Sequence, residues 1–464
     1  MDLSTGLTRE NGPLNFPVSL NQERHLLAAE CVKLSFRSLA PPTTPITFHL
    51  SGKLDFNALN ATLGEIARRH DSLRSAFYRC GAEGTERDAS LRIFATTGFF
   101  ILGLYAQSVE DNLEGLLSIF VCDDVPETNR DEAYRRIVQA ELEKPFRSGL
   151  PWKAILITFS ENVHLITLAV HHLVSDAWSV NVLKREFKLL YCHFADGTRY
   201  PLSHERPAQF RDFILWQRDR INANYFSPAI SYWRKQWELY GSIRLKYSDF
   251  VRTGGTPTRD WDTIALVLDE EVSKAIGEFA RNMRVTRFVL FLTAFAIALS
   301  DLTGRRNFAL WAHFANRMLP GFQDTIGWFA NSHIIGIDLS DDPNKMDLLD
   351  RIRSTVTEAY KYQEVPGPLL WNSLGVQPRP PDARVLLDLF MEEEKVQSPT
   401  ARSSIFAKTT VPSWGRPRWS TVGVYVNCGQ QVNVRLVYWS QFHRENMQQL
   451  LNRVRDSLFS LVYH

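Results

Sequence analysis

Residues 163–170, Val-His-Leu-Ile-Thr-Leu-Ala-Val, are apolar at most positions instead of at every second one. A run of that kind is expected of a strand covered on both faces, so its sheet needs a packed layer on either side. A second β-rich run, Trp152 to Phe159, precedes it across Ser160, Glu161 and Asn162, and the two together predict a hairpin or tight connection. After the strand the period changes. Val180, Leu183, Phe187, Leu190 and Tyr191 fall on one helical stripe, and Asp176 or Ser179 stands where a residue would cap its first turn.

Strand and helix signals alternate along the rest of the chain. Ile46 to Leu50 predicts a strand. Leu59, Leu63, Ile66 and Ala67 predict an amphipathic helix ending near His70. Strand signal follows at 91–104 and helical signal at 132–146. Pro201 and Pro207 mark a boundary, followed by a helical region rich in Trp and Arg from Phe210 to Tyr240. The second half predicts strands at 263–268, 307–312, 333–339, 384–390, 420–427 and 432–439, and helices at 270–283 and 287–301. A final helix carries Met447, Leu450, Leu451, Val454, Leu458 and Leu461. At about 150 residues per domain, 464 residues suggest two to three domains. The alternation in both halves favours two similar α/β lobes, residues 1–200 and 201–464.

Composition excludes several classes. With 44% hydrophobic and 22% charged residues the chain is not disordered over most of its length. Fifty-three basic against 51 acidic side chains give no support to a general nucleic-acid binder. The five cysteines, at 31, 80, 122, 192 and 428, contain no closely spaced pair of the zinc or redox kind, and they read as reduced thiols in a cytoplasmic setting. The first thirty residues have no signal-peptide core. The most apolar segment, Phe288 to Leu299, falls short of the ~20 residues a bilayer span needs, so it reads as a buried helix and no membrane role is expected.

Of twelve histidines only His171 and His172 are adjacent, within Ala-Val-His-His-Leu-Val-Ser-Asp-Ala-Trp-Ser, residues 169–179. Strand-to-helix junctions often carry catalytic side chains. Two packed histidines with satisfied nitrogens would be the plain alternative. A metal site is disfavoured, because neighbours in a strand point to opposite faces and one ion would not readily take both rings. By the same alternation, His172 facing a cleft would leave His171 to pack behind it. A single imidazole of pKa near ~6.5 serves as a general base at neutral pH, removing a proton from an amine or hydroxyl that attacks an acyl carbonyl. Asp176 is expected to pair with an arginine and fix the loop, since a carboxylate there needs a partner.

His-His-Leu-Val-Ser-Asp-Ala-Trp-Ser resembles the HHxxxDGWS motif of the condensation domains of nonribosomal peptide synthetases. Four further resemblances follow in the expected order. Ser19 to Arg24 is similar to SxxQxR, and Arg69 to Phe77 to RHExLRTxF. Phe210 to Phe213 with Trp216-Gln217 is similar to YxDFAxWQ. Ile326 to Ser332, ending in Ile337-Asp338-Leu339-Ser340, is similar to IGxFVNT…RxDLS. The resemblance covers the chain from about residue 15 onward.

It implies a chloramphenicol-acetyltransferase-like α/β fold: two lobes in a V-shaped pseudo-dimer, with a tunnel and the active site at their interface. Residues 384–440 would supply crossing elements. His172 takes the catalytic position and Asp176 the structural one, with His171, Ala177, Trp178 and Ser179 around them. Arg74 or Arg317 would be the ionic partner of Asp176, and Asn331 would lie near the interface. An acyl or peptidyl donor would arrive on the phosphopantetheine of a carrier protein, and a carrier-bound or free acceptor would attack it. No permanently bound cofactor, metal or nucleic acid is implied. A coenzyme A-dependent acyltransferase of the same fold and an inactive recruitment domain are the alternatives. Both histidines argue against a cyclisation domain, and no EGHGRE motif marks an epimerisation domain. The start at Met1 and the closing helix favour a free-standing enzyme. Ala177 replaces the family's Gly, and Trp311 to Met318 matches the family's Gly- and Pro-containing stretch loosely. Arg68-Arg69, Arg305-Arg306 and Arg416 to Arg418 are candidate carrier contacts, more simply read as solvated surface. Trp178, Trp311, Trp328, Trp371, Trp414 and Trp439 include candidate tunnel liners, more simply read as core.

Overall fold

The computed structural model describes residues 15–35, 43–80, 104–146, 149–203, 205–240, 261–375, 385–390, 406–410, 422–429, 431–439 and 442–463. The strand signal at 91–103, Trp414, Arg416 to Arg418 and the side chain of Trp439 lie outside what is described. In chain order the strands are β1 (Asn15–Pro17), β2 (Thr43–Ser51), β3 (Ser75–Arg79), β4 (Tyr105–Val109), β5 (Leu117–Val121), β6 (Trp152–Ser160), β7 (Val163–His171), β8 (Trp261–Val267), β9 (Asn307–Phe314), β10 (Asn331–Asp338), β11 (Val385–Phe390), β12 (Phe406–Thr410), β13 (Val422–Cys428) and β14 (Val432–Trp439). The chain divides into two compact units, neither continuous in sequence. The first takes residues 1–223, 317–329 and 396–415. The second takes 224–316, 330–395 and 416–464.

In the first unit the described strands form a sheet of order β12-β2-β7-β6-β5 and a smaller one of order β1-β4-β3. The hairpin is real: β6 pairs antiparallel with β7, Trp152 opposite Val170, around a turn at Glu161-Asn162. Seven consecutive residues of β7 are buried, and the reason lies in its two neighbours and its two covered faces. Ala154, Leu156, Ile166, Leu168 and Val170 face the helices Phe56–Arg69 and Ala177–Asp196, meeting Leu59, Leu63, Ile66, Leu183 and Phe187. The alternate residues Ile155, Ile157, Phe159 and Leu165 meet Ala133, Tyr134 and Val138 of the helix Arg130–Glu143. Period-two alternation is thus present, but both sets are apolar.

In the second unit the described strands form one sheet, β10-β9-β11-β13-β14-β8. In it β11 runs parallel to β9 and β13, and the other pairings are antiparallel. The apolar segment is the helix Arg287–Thr303, capped by the Thr286 hydroxyl on Val289 N and closed by Gly304 in the left-handed region, φ 69°. Leu290, Phe291, Leu292, Phe295 and Leu299 are buried on several sides of it, as befits a core helix. The helix Arg444–Val462 packs beside it with the six residues of its predicted stripe buried. No single helix among the described residues is long and apolar enough to cross a membrane.

Candidate active site

β7 ends at His171, and His172 opens a short 3-10 turn, His172–Val174. The strand alternation therefore does not extend across the histidine pair. The rings of His171 and His172 each approach a third imidazole, His25, edge-on at centroid distances of 6.1 and 6.5 Å, while His171 also meets Phe146 at 5.4 Å. The backbone gives the two rings opposite tautomers. His172 Nδ1 lies 2.8 Å from the Ser175 carbonyl, which can only accept, so Nδ1 carries the hydrogen and Nε2 the lone pair. His171 Nδ1 accepts from Leu173 N at 3.0 Å, so its own hydrogen sits on Nε2. Among the described residues no group of three or more His, Cys, Asp or Glu is arranged to hold an ion.

Asp176, not Ser179, caps the helix Ala177–Asp196, its carboxylate accepting from Ser179 N at 2.8 Å. It also accepts from Arg317 Nη2 at 3.0 Å and Phe329 N at 3.0 Å. Arg317 spends its other terminal nitrogen on the Phe322 and Thr325 carbonyls, at 2.8 and 2.7 Å, and lies 4.1 Å over the Phe329 ring. Burial pulls its guanidinium below the ordinary value and the Asp176 charge pushes back. Ser179 Oγ accepts from Gly327 N at 3.1 Å and from Arg317 at 2.9 Å. Its single proton goes to Asp176 or to the Gly327 carbonyl, both 2.8 Å away. The helix start is thereby stitched to the segment 317–329.

That segment delivers Trp328, whose indole stacks on the His172 ring at 4.3 Å and 27°. His25 stands edge-on to the indole at 5.7 Å. Gly327 is required by close approach: a Cβ there would come within 2.4 Å of the Phe210 ring, which itself packs on Phe329 at 4.9 Å. Two of the quoted motifs, Phe210-Arg211-Asp212-Phe213 and Ile326-Gly327-Trp328-Phe329, are thus one packing unit.

Arg74 is placed elsewhere. It donates to the Ala67 carbonyl at 2.9 Å and pairs with Asp71 at 2.9 Å and with Asp111. Asp71 also takes Arg206 and Arg211. Beside this knot Glu186, fully buried, joins Arg69 at 3.3 Å and His70 Nε2 at 2.8 Å. Burial pushes the Glu186 carboxyl up, but the His70 hydrogen bond and the His70 and Arg69 charges outweigh it, and the group sits below its ordinary value. The Arg-His-Asp-Ser-Leu-Arg motif is therefore a buried structural joint between helices.

Ala177 is the first residue of its helix and is exposed. It is not among the non-glycine residues of positive φ, which in the described chain are Asn224, Arg284, Asn316 and Asp342. Trp178 is 44% exposed and donates to the Gln323 carbonyl at 2.8 Å, so it is not a core residue. Asn331 lies in the second unit, buried, its amide on the Gln363 carbonyl at 2.9 Å. Sequence reasoning missed His25 and the position of Trp328 against His172. Trp328 stood inside a quoted motif, but nothing local to either residue encodes the contact.

Comparison with known proteins gives the family. The Condensation domain model matches residues 16–464. The chain is 29% identical over 349 residues to cyclosporin synthetase simA of Tolypocladium inflatum, covering 74% of this chain and 2% of that protein. It is 29% identical over 326 residues to the beauvericin nonribosomal cyclodepsipeptide synthetase of Beauveria bassiana, covering 69% of this chain and 9% of that protein. The chain thus spans a small fraction of the curated relatives it matches. Among solved structures, the condensation domain of the monacolin K polyketide synthase MokA superposes with a TM-score of 0.75 at 18% identity, over 97% of this chain and 98% of that one, a likeness of fold. Condensation domains are acyltransferases that form amide or ester bonds, and this chain belongs to the condensation-domain family of nonribosomal peptide synthetases.

Proposed function

We propose that this chain moves an acyl or peptidyl group from the phosphopantetheine thioester of a carrier protein to an amine or hydroxyl, with His172 as the base. Its Nε2 takes the proton of the nucleophile as the new C–N or C–O bond forms at the thioester carbonyl. The tetrahedral adduct then loses the C–S bond, and the imidazolium returns its proton to the departing thiolate. The observation that carries this reading is the 2.8 Å hydrogen bond from His172 Nδ1 to the Ser175 carbonyl, which assigns the basic lone pair to Nε2 before substrate arrives. Asp176 and Arg317 are positioning residues in this scheme. The helical backbone of Ala177 supports an active site, since the missing glycine is not asked for a positive φ.

The test is an intact-mass assay with acyl-loaded carrier protein and a panel of amines, aminoacyl carriers and alcohols. Acyl loss from the carrier with a matching product, abolished in His172→Ala, is the expected result and names the nucleophile class. Transfer from acyl-coenzyme A and none from any carrier would replace the carrier reading with a coenzyme A-dependent one. Full rate in a folded His172→Ala variant would remove the base role.

A further inference from the structure

We infer that Trp328 is a positioning residue that strengthens His172 as a base. This rests on the reading of His172 given above and adds a determinant that the sequence motifs leave unassigned. The geometry has three parts. The imidazole is fixed along one edge by the Ser175 carbonyl. The indole covers one of its faces at a centroid distance of 4.3 Å and a 27° tilt. The backbone of the indole is fixed on both sides: Gly327 N is bound to Ser179 Oγ at 3.1 Å and Phe329 N to Asp176 at 3.0 Å. Neither ring is free to slide along the other.

A stack of this kind has a chemical consequence. The face of an indole is electron-rich and attracts a cation more than a neutral ring. When Nε2 takes a proton the whole imidazole becomes positive, and the indole face lies within contact of that charge. The contact therefore favours the protonated state of His172, which raises its basicity and helps the proton leave the nucleophile.

The other titratable groups around the pair act in different directions. Protonation of His171 or His25, which stand 6.1 Å apart around the same corner, would oppose a charge on His172. The Asp176 carboxylate is held by Arg317, so its charge is largely cancelled locally. Trp328 supplies the stabilisation that a neighbouring free carboxylate would otherwise give. It does so without a second charged group in a place where a carrier-borne substrate must lose its water.

The experiment is an NMR titration of the full chain with ¹³Cε1-labelled histidine, the His172 signal assigned by its absence in His172→Gln. Trp328→Leu should lower the His172 pKa by about half a unit to one unit, and Trp328→Phe by less, in line with the weaker face of a phenyl ring. The rising limb of the pH–rate profile for single-turnover acyl transfer should move to lower pH by the same amount, with a lower plateau rate. A His172 pKa unchanged in folded Trp328→Leu would overturn the inference, and Trp328→Phe serves if the leucine variant does not fold. The titration is independent of the reaction. A shifted pKa together with full activity in His172→Gln would retain the stack and remove the base.

Discussion

Asp176 and Arg317, 141 positions apart in sequence, meet at 3.0 Å with side chains only 3% and 2% exposed. A buried pair of this kind is a poor source of net stability, but breaking it is expensive, because the surviving charge has no water to turn to. Asp176 is also a helix cap and a partner of Phe329 N, so it cannot relax away from the vacancy.

Arg317→Ala should therefore destabilise the protein by about 3–5 kcal/mol, read as a shifted urea midpoint at unchanged slope. Arg317→Lys should recover only part of this, since one ammonium cannot reproduce the fork that reaches Asp176 together with the Phe322 and Thr325 carbonyls. Equal stability of the lysine variant and the parent would show that charge alone matters at this position.

Glu186 gives a pH prediction with a definite sign. Its carboxyl titrates below its ordinary value of 4.5 in the fold. A depressed acid contributes stability that is present above the unfolded value and is lost as pH falls through the folded one. Melting temperature should thus decline as pH is lowered from about 4.5, and Glu186→Gln should flatten that decline. At neutral pH Glu186→Ala, which strands the buried Arg69 and His70, should cost about 3–5 kcal/mol. A Glu186→Gln variant with the same acid limb as the parent would transfer the effect to another carboxylate.

Ala177→Gly restores the family's residue and should do little. The position is exposed, at the first turn of the helix, and its φ is not positive. Gly there adds backbone freedom to the unfolded chain, a loss of stability of up to about 1 kcal/mol. Acyl-transfer rate should stay within about twofold of the parent, since a 0.4 kcal/mol change in barrier is of that size. A rise of a hundredfold would mean that Ala177 restrains the site in a way its backbone does not reveal.

Much of this was legible in the sequence because the signals are local. Val163 to Val170 and Trp152 to Phe159 announce two covered sheet faces through composition alone, and Asp176 before an apolar stripe announces a cap. The limits were also physical. Local patterning could not choose between Arg74 and Arg317 as the partner of Asp176, because the choice depends on a segment folding back over 141 positions. The reading of His171 and His172 by strand alternation assumed one strand through both, and the strand ends between them at a 3-10 turn that no residue preference there demands. Glu186 lies within an amphipathic helix as a charge like any other. Only the approach of Arg69 and His70 explains its burial. The stack of Trp328 on His172 is equally non-local.

Gly327→Ala tests whether the packing of two motifs sets the geometry at His172. The added Cβ would lie 2.4 Å from the Phe210 ring, so one of the two must move. Phe210 is buried and held between Phe213 and Phe329, at centroid distances of 5.8 and 4.9 Å, and has little room. The strain therefore falls on the 326–329 segment, at a cost of about 1–3 kcal/mol for overpacking. Trp328 moves with that segment, so the transfer rate should fall more than the melting temperature alone accounts for. Phe210→Leu shortens the opposing side chain, and combining it with Gly327→Ala should restore rate and stability together relative to Gly327→Ala alone. A parent-like Gly327→Ala variant, or a double variant that regains stability and no rate, would separate the Phe210 contact from the placement of Trp328.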